Sequence, residues 1–143
     1  MNMQGDAALR QLALRVLAQH AGPAAGAEAI AAAAGRAYDD LARVLATVIG
    51  EAGANALADR ALHLAKSEYP WLAPTREPAY AEMKFSQIIA PLARQDPAVG
   101  AAAAAAVLAA FLGLLATFIG EPLAARLWRQ AWPDVFQRNA EET

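Results

Sequence analysis

Three observations predict an all-α fold for this chain. Apolar/polar alternation is absent and β-branched residues are scarce; Ala, Leu, Arg, Glu and Gln dominate every periodic segment; and helix start and stop signals recur along the chain. Together they predict a six-helix bundle built from two repeated three-helix units with pseudo-twofold symmetry. At 143 residues, 57% hydrophobic and 18% charged, the chain suits a single globular domain spanning 1–143.

Asp6 is positioned to cap a first helix carrying Leu9, Leu12, Val16 and Leu17, which stops at His20-Ala21-Gly22-Pro23. A second helix is predicted over 27–49. It has an apolar stripe of Leu41, Val44, Leu45 and Val48 and a polar stripe of Arg36, Asp39, Asp40 and Arg43. Gly50 and Gly53 end it, and Asn55 caps a third helix that runs to Glu68 and buries Leu57, Ala61, Leu64 and Ala65. Tyr69-Pro70 stops this helix, completing a first unit of about 6–73. Prolines 70, 74 and 78 make a stiff connector over 70–78. A fourth helix over 79–94 carries Met83, Ile88, Ile89 and Leu92, with Pro91 kinking or ending its last turn. Asp96-Pro97 supplies an N-cap and a first-turn proline for a fifth helix to Ile119, closed by Gly120. Glu121-Pro122 starts a sixth, with Leu123, Leu127 and Trp128, ending at Trp132-Pro133. The second unit is therefore about 79–136.

The duplication rests on order as well as identity. Residues 45–51 read LATVIGE and residues 115–121 read LATFIGE; aligning Ala31–Glu51 with Ala101–Glu121 gives ten identities in 21. Pro-Ala-x-Gly precedes both long helices, at 23–26 and 97–100. Leu-Ala-x-Arg follows both, at 57–60 and 123–126, and an aromatic-Pro pair ends both units. The glycine and glutamate of each phrase, Gly50-Glu51 and Gly120-Glu121, are read as structural caps between consecutive helices. Each carboxylate sits where free amides and the positive end of a helix dipole await it. Thr47 and Thr117 are placed to bond a carbonyl one turn back.

The copies disagree at one place. Arg36, Asp39, Asp40 and Arg43 align with Ala106, Ala109, Ala110 and Gly113, so a charged stripe is replaced by small residues. Two coverings are open for the stripe Ala102, Ala106, Ala109, Ala110 and Gly113. One is packing inside the monomer against the first half; the other is a homodimer seam or a helical protein partner. Residues 98–120 carry no charge over 23 positions, long enough to cross a bilayer. Ten are alanine and three glycine, which makes insertion marginal, and the charged counterpart at 28–50 argues for a water-facing fold. A membrane role is not expected.

Chemistry is sparse. There is no cysteine, so disulfides, thiolate nucleophiles and Cys-ligated metals are excluded, and the formal charge of −2 offers no field for nucleic acid. The opening MNMQGDAALRQL has no basic region leading into an apolar run, so a cytoplasmic location is the expectation. Asp59, His63 and Ser67 share a helix face at i, i+4 and i+8, yet a straight helix does not bring three such groups together, and an ordinary Asp59–His63 pair is expected. No enzyme activity, metal or cofactor is therefore predicted: the two histidines have no ligand-spaced partners, and none follows His63 to hold a haem. Trp71, Trp128, Trp132 and Arg129 are read as core anchors, a partner surface or the wall of an apolar ligand pocket between the halves. The expected function is a non-enzymatic interaction or regulatory module, self-associating through helix 98–119; the alternative is a sensor for an apolar small molecule.

Overall fold

In the computed structural model, the residues described are 3–22, 26–72, 89–133 and 135. They form five α-helices and one 3-10 turn, with no strand among them. The helices are α1 (Met3–Ala21), α2 (Ala27–Glu68), α3 (Ile89–Ala93), α4 (Pro97–Ile119) and α5 (Glu121–Ala131); the turn is Pro70–Leu72. The all-α prediction holds, but the count differs. The second and third predicted helices are one element, α2, broken only at Gly50 with φ 83° and ψ 163°. Gly120 makes the same kind of joint between α4 and α5, with φ 91° and ψ 149°. A side chain is strained at such angles, and glycine lets the chain change direction in a single residue, so helical bonding resumes without a loop.

The boundaries follow local chemistry where a proline or a special backbone angle is involved. Asp96 caps α4, accepting from the Ala98 N–H at 3.1 Å, and Pro97 is the first helical residue. Tyr69 and Trp132 cap the C-termini of α2 and α5; each N–H reaches a carbonyl four residues back, Ala65 O at 2.8 Å and Trp128 O at 2.9 Å. Other caps fall elsewhere. Asp6 lies inside α1, and Gly53 and Asn55 lie inside α2, because Gly50 alone redirects the chain and the new helix starts at Glu51. Gly120, not Glu121, is the N-cap of α5, and no side-chain hydrogen bond caps that end. Of the fourth predicted helix only Ile89–Ala93 is described, with Pro91 inside it; Met83, Ile88 and most of the connector lie outside the described residues.

Packing centres on α4. It touches α1, α2, α3 and α5, and eleven of its 23 residues are buried. Towards α2 the core is built from small residues, Ala34 and Ala37 beside Ala103 and Ala104, widening to Leu41, Leu45, Leu108, Phe111, Leu112 and Leu115. Tyr38 is fully buried, and its hydroxyl donates to the Ala104 carbonyl at 2.8 Å, tying α2 to α4. Burial pushes its phenol far above the ordinary tyrosine value, so it stays a neutral donor. From α1 come Leu12, Ala13, Val16 and Leu17. Two apolar residues predicted to point inward do not: Leu64 and Val48 are exposed, as is Leu123, and Leu62 takes the buried place on its turn of α2. By length and composition α2 and α4 could each cross a membrane, a test that the core helix of a soluble protein also passes; over half of the α4 window is buried within the chain.

The glycines separate backbone strain from crowding. A Cβ at Gly50 or Gly120 would meet nothing within 4 Å, so only the positive φ opposes it. Gly50→Ala and Gly120→Ala should each lower stability by about 1–3 kcal/mol. At Gly113, inside α4, an added Cβ would meet Leu9 Cδ1 at an ordinary 3.5 Å. Gly113→Ala should therefore be neutral or stabilising by up to about 1 kcal/mol. Urea unfolding midpoints of the three variants check the contrast.

Candidate functional site

α1 lies against both the small-residue stripe of α4 and the charged stripe of α2. On α4, Ala106 and Ala109 of the small-residue stripe are buried, Ala110 and Gly113 are half-buried, and Ala102 at the upstream end is exposed. Leu9 of α1 lies against Gly113, at the downstream end of this stripe, and α1 packs on α4. Small residues there let a second helix approach closely. The charged stripe of α2 meets the other end of α1: Arg36 donates to the His20 carbonyl at 2.9 Å, and His20 Nε2 stands 3.4 Å from Asp40 Oδ2. Arg43 also approaches Asp40, at 3.4 Å. A stripe read from sequence as merely solvated thus holds a helix end.

A second tie fixes the beginning of α1. Arg10 forms a two-point pair with Glu68, at 2.8 and 3.1 Å, joining α1 to the last turn of α2. Hydrogen bonds from Arg10 hold the Glu68 carboxyl below its ordinary value. The neighbouring Tyr69 phenol is raised by partial burial, with a contribution from the Glu68 charge.

The aromatic residues divide. Trp132 is buried and donates from Nε1 to the Ala37 carbonyl at 3.3 Å, anchoring the end of α5 to α2. Trp128 is buried, but its Nε1 has no hydrogen-bond partner among the described residues. Trp71 is half-buried and stands edge-on to Tyr69, ring centres 6.0 Å apart, and Arg129 is exposed. These four therefore do not form one surface: two belong to the core.

The acid, imidazole and hydroxyl of Asp59, His63 and Ser67 remain separate. No hydrogen bond joins any two of them among the described residues, and the Ser67 hydroxyl donates to the Leu64 carbonyl at 2.7 Å. Asp59 Oδ1 is buried without a hydrogen-bond partner among the described residues. Thr47 and Thr117 bond back to Val44 O at 2.6 Å and Gly113 O at 2.9 Å, as their positions predicted. No group of three His, Cys, Asp or Glu residues placed to hold a metal occurs among the described residues.

The most exposed large apolar residue is one that the sequence reading passed over. Phe118 is 66% exposed and Val48 47%, and these occupy the single position at which LATVIGE and LATFIGE differ. That variability was the available signal. Helical periodicity alone assigned Val48 to the core, because it does not register the turn that Gly50 imposes two residues later. No family model matches the chain, and no curated protein or solved structure matches it.

Two measurements follow from these contacts. Trp128→Phe removes no hydrogen bond while Trp132→Phe removes one, so the second should cost about 1 kcal/mol more in urea unfolding. Because Glu68 is held below its ordinary value, the Arg10–Glu68 pair contributes fully above the unfolded-state carboxylate range and is lost as pH falls through its folded value. Both side chains are nearly half exposed, so the contribution is at most about 1 kcal/mol. Stability measured from neutral to acid pH should fall less in Arg10→Gln than in the native chain.

Proposed function

We propose that the chain is a non-enzymatic helical interaction module, a duplicated three-helix unit that self-associates through the exposed end of α4. The observation that carries this is Phe118, two-thirds exposed at the end of an uncharged helix, with exposed Leu123 just beyond the joint. Large aromatic side chains favour contact with protein, and a twofold dimer lets one such residue serve both subunits. The location differs from the stripe first considered. Ala106 and Ala109 are buried by the chain itself, so a partner would meet the end of the helix, where Thr117 and Phe118 are exposed.

Several features support the duplication. The two seven-residue phrases match position by position in exposure, from a buried Leu45 or Leu115 to an exposed Glu51 or Glu121. Gly50 and Gly120 share a backbone conformation, as do Tyr69 (φ −128°, ψ 79°) and Trp132 (φ −133°, ψ 65°). Three residues beyond each of those caps, Leu72 and Val135 are both buried. The first helix of each unit contacts the other unit as well as its own, α1 on α4 and α2, α3 on α2 and α4. A second reading, an apolar small-molecule sensor, is favoured by one atom: the buried, unpartnered Nε1 of Trp128, a donor available to a polar atom of a ligand. Native mass spectrometry of gently purified protein tests it; loss of a retained small molecule in Trp128→Phe would support it.

Sedimentation over a wide concentration range tests self-association. A reversible dimer is expected, weakened at least about tenfold by Phe118→Arg, with the unfolding midpoint unchanged because the side chain is exposed. A strict monomer at the highest concentration, or a dimer indifferent to Phe118→Arg, overturns the proposal. Ala106→Arg is unsuitable as a probe, since a charge at this buried site would disturb the fold itself.

A further inference from the structure

His20 sits between two hydrogen-bond acceptors. Its Nδ1 is 2.9 Å from the Val16 carbonyl, one turn back in α1, and its Nε2 is 3.4 Å from Asp40 Oδ2 on α2. A neutral imidazole carries one N–H, and only the imidazolium carries two. Both contacts are therefore hydrogen bonds only when the ring is protonated. With Nδ1–H retained on Val16, a neutral ring would turn the Nε2 lone pair towards a carboxylate. We propose that His20 is a proton-dependent latch: charged, it ties the last turn of α1 to Asp40; neutral, it releases that tie.

The surroundings define its balance. Asp40 attracts the imidazolium, as does the C-terminal end of α1, where helix carbonyls gather negative potential. Arg36 opposes it, but its guanidinium is engaged with the His20 carbonyl at 2.9 Å, and Arg43 competes for Asp40 through the other carboxylate oxygen. The other helix packed on α1 is α4, which has no charged residue between Pro97 and Gly120. The ring is part-buried, so water replaces the lost contact only in part. The sign follows from the donors: a ring with two N–H groups closes the latch and a ring with one opens it, so the tie is lost as the proton is withdrawn. Since α1 packs on α4, with Leu9 against Gly113, the state of the latch sets how firmly α1 is held on that apolar helix.

Amide hydrogen exchange at about pH 5.5 and about pH 8, corrected for intrinsic rates, reads the latch directly. Protection in the last two turns of α1, relative to α4, should fall about two- to fivefold at the higher pH in the native chain. His20→Gln and Asp40→Asn should each remove that difference, and His63→Gln should keep it. Equal protection at both pH values, or a pH dependence that persists in Asp40→Asn, overturns the proposal. Nitrogen NMR of the native ring gives a second readout independent of the variants: a His20 ring that is neutral at about pH 5.5, with α1 fully protected, also overturns it.

Discussion

An uncharged helix of 23 residues cannot face water along its length, and the enclosure of α4 is the constraint on which the remaining structure depends. Its alanines bring α2 close, so that a single buried tyrosine hydroxyl spans from one helix to the backbone of the other. Close approach through small side chains limits the apolar area that any one contact removes from water, and the leucines and phenylalanine further along the same faces supply the bulk. α1 and α5 then close the sides left open.

The role of α1 follows from that enclosure. It lies where the two long helices differ most, with small residues on α4 beneath its middle and charged residues on α2 beside its end. A stripe of alanine and glycine accepts a helix by shape, without directional contacts. The charged stripe holds by direction, through Arg36 on a terminal carbonyl and Asp40 on an imidazole. Arg10 adds a third point of attachment at the last turn of α2. The difference between the two stripes is thus the difference between supporting a helix body and holding a helix end. Among the described residues the two most exposed large apolar side chains, Val48 and Phe118, lie at the glycine joints, where they project just before the chain turns.

Much of this was legible in the sequence for local reasons. Proline and glycine restrict φ in ways that do not depend on the fold, so the starts at Pro97 and Pro122, the joints at Gly50 and Gly120, and the stops at Tyr69-Pro70 and Trp132-Pro133 could be placed from residue type. Capping by Asx and Glu side chains was only partly legible: Asp96 caps α4, but an N-cap residue must itself lie outside the helix, whereas Asp6 and Asn55 lie inside helices and Glu121 is the first residue of α5 after Gly120. The candidate site was harder still. Asp59, His63 and Ser67 share a face by spacing, but spacing does not bring them into contact, whereas His20 and Asp40 meet across 20 residues with no pattern to announce them.

The sequence by itself determined the helical class, those helix ends that a proline or a positive-φ glycine marks, and the recurrence of one phrase at both joints, since each of these depends on φ restrictions and periodicity carried by neighbouring residues. Only the tertiary structure decided which apolar residues are inside. Leu62 replaces Leu64, Trp128 and Trp132 are buried while Phe118 is not, and the α4 stripe is buried at Ala106 and Ala109 and meets Leu9 of α1 at Gly113. The physical reason is that a helix's periodicity defines a face but not its neighbour: what a face touches depends on the angle at a single glycine and on which distant helix has a surface small enough to admit it.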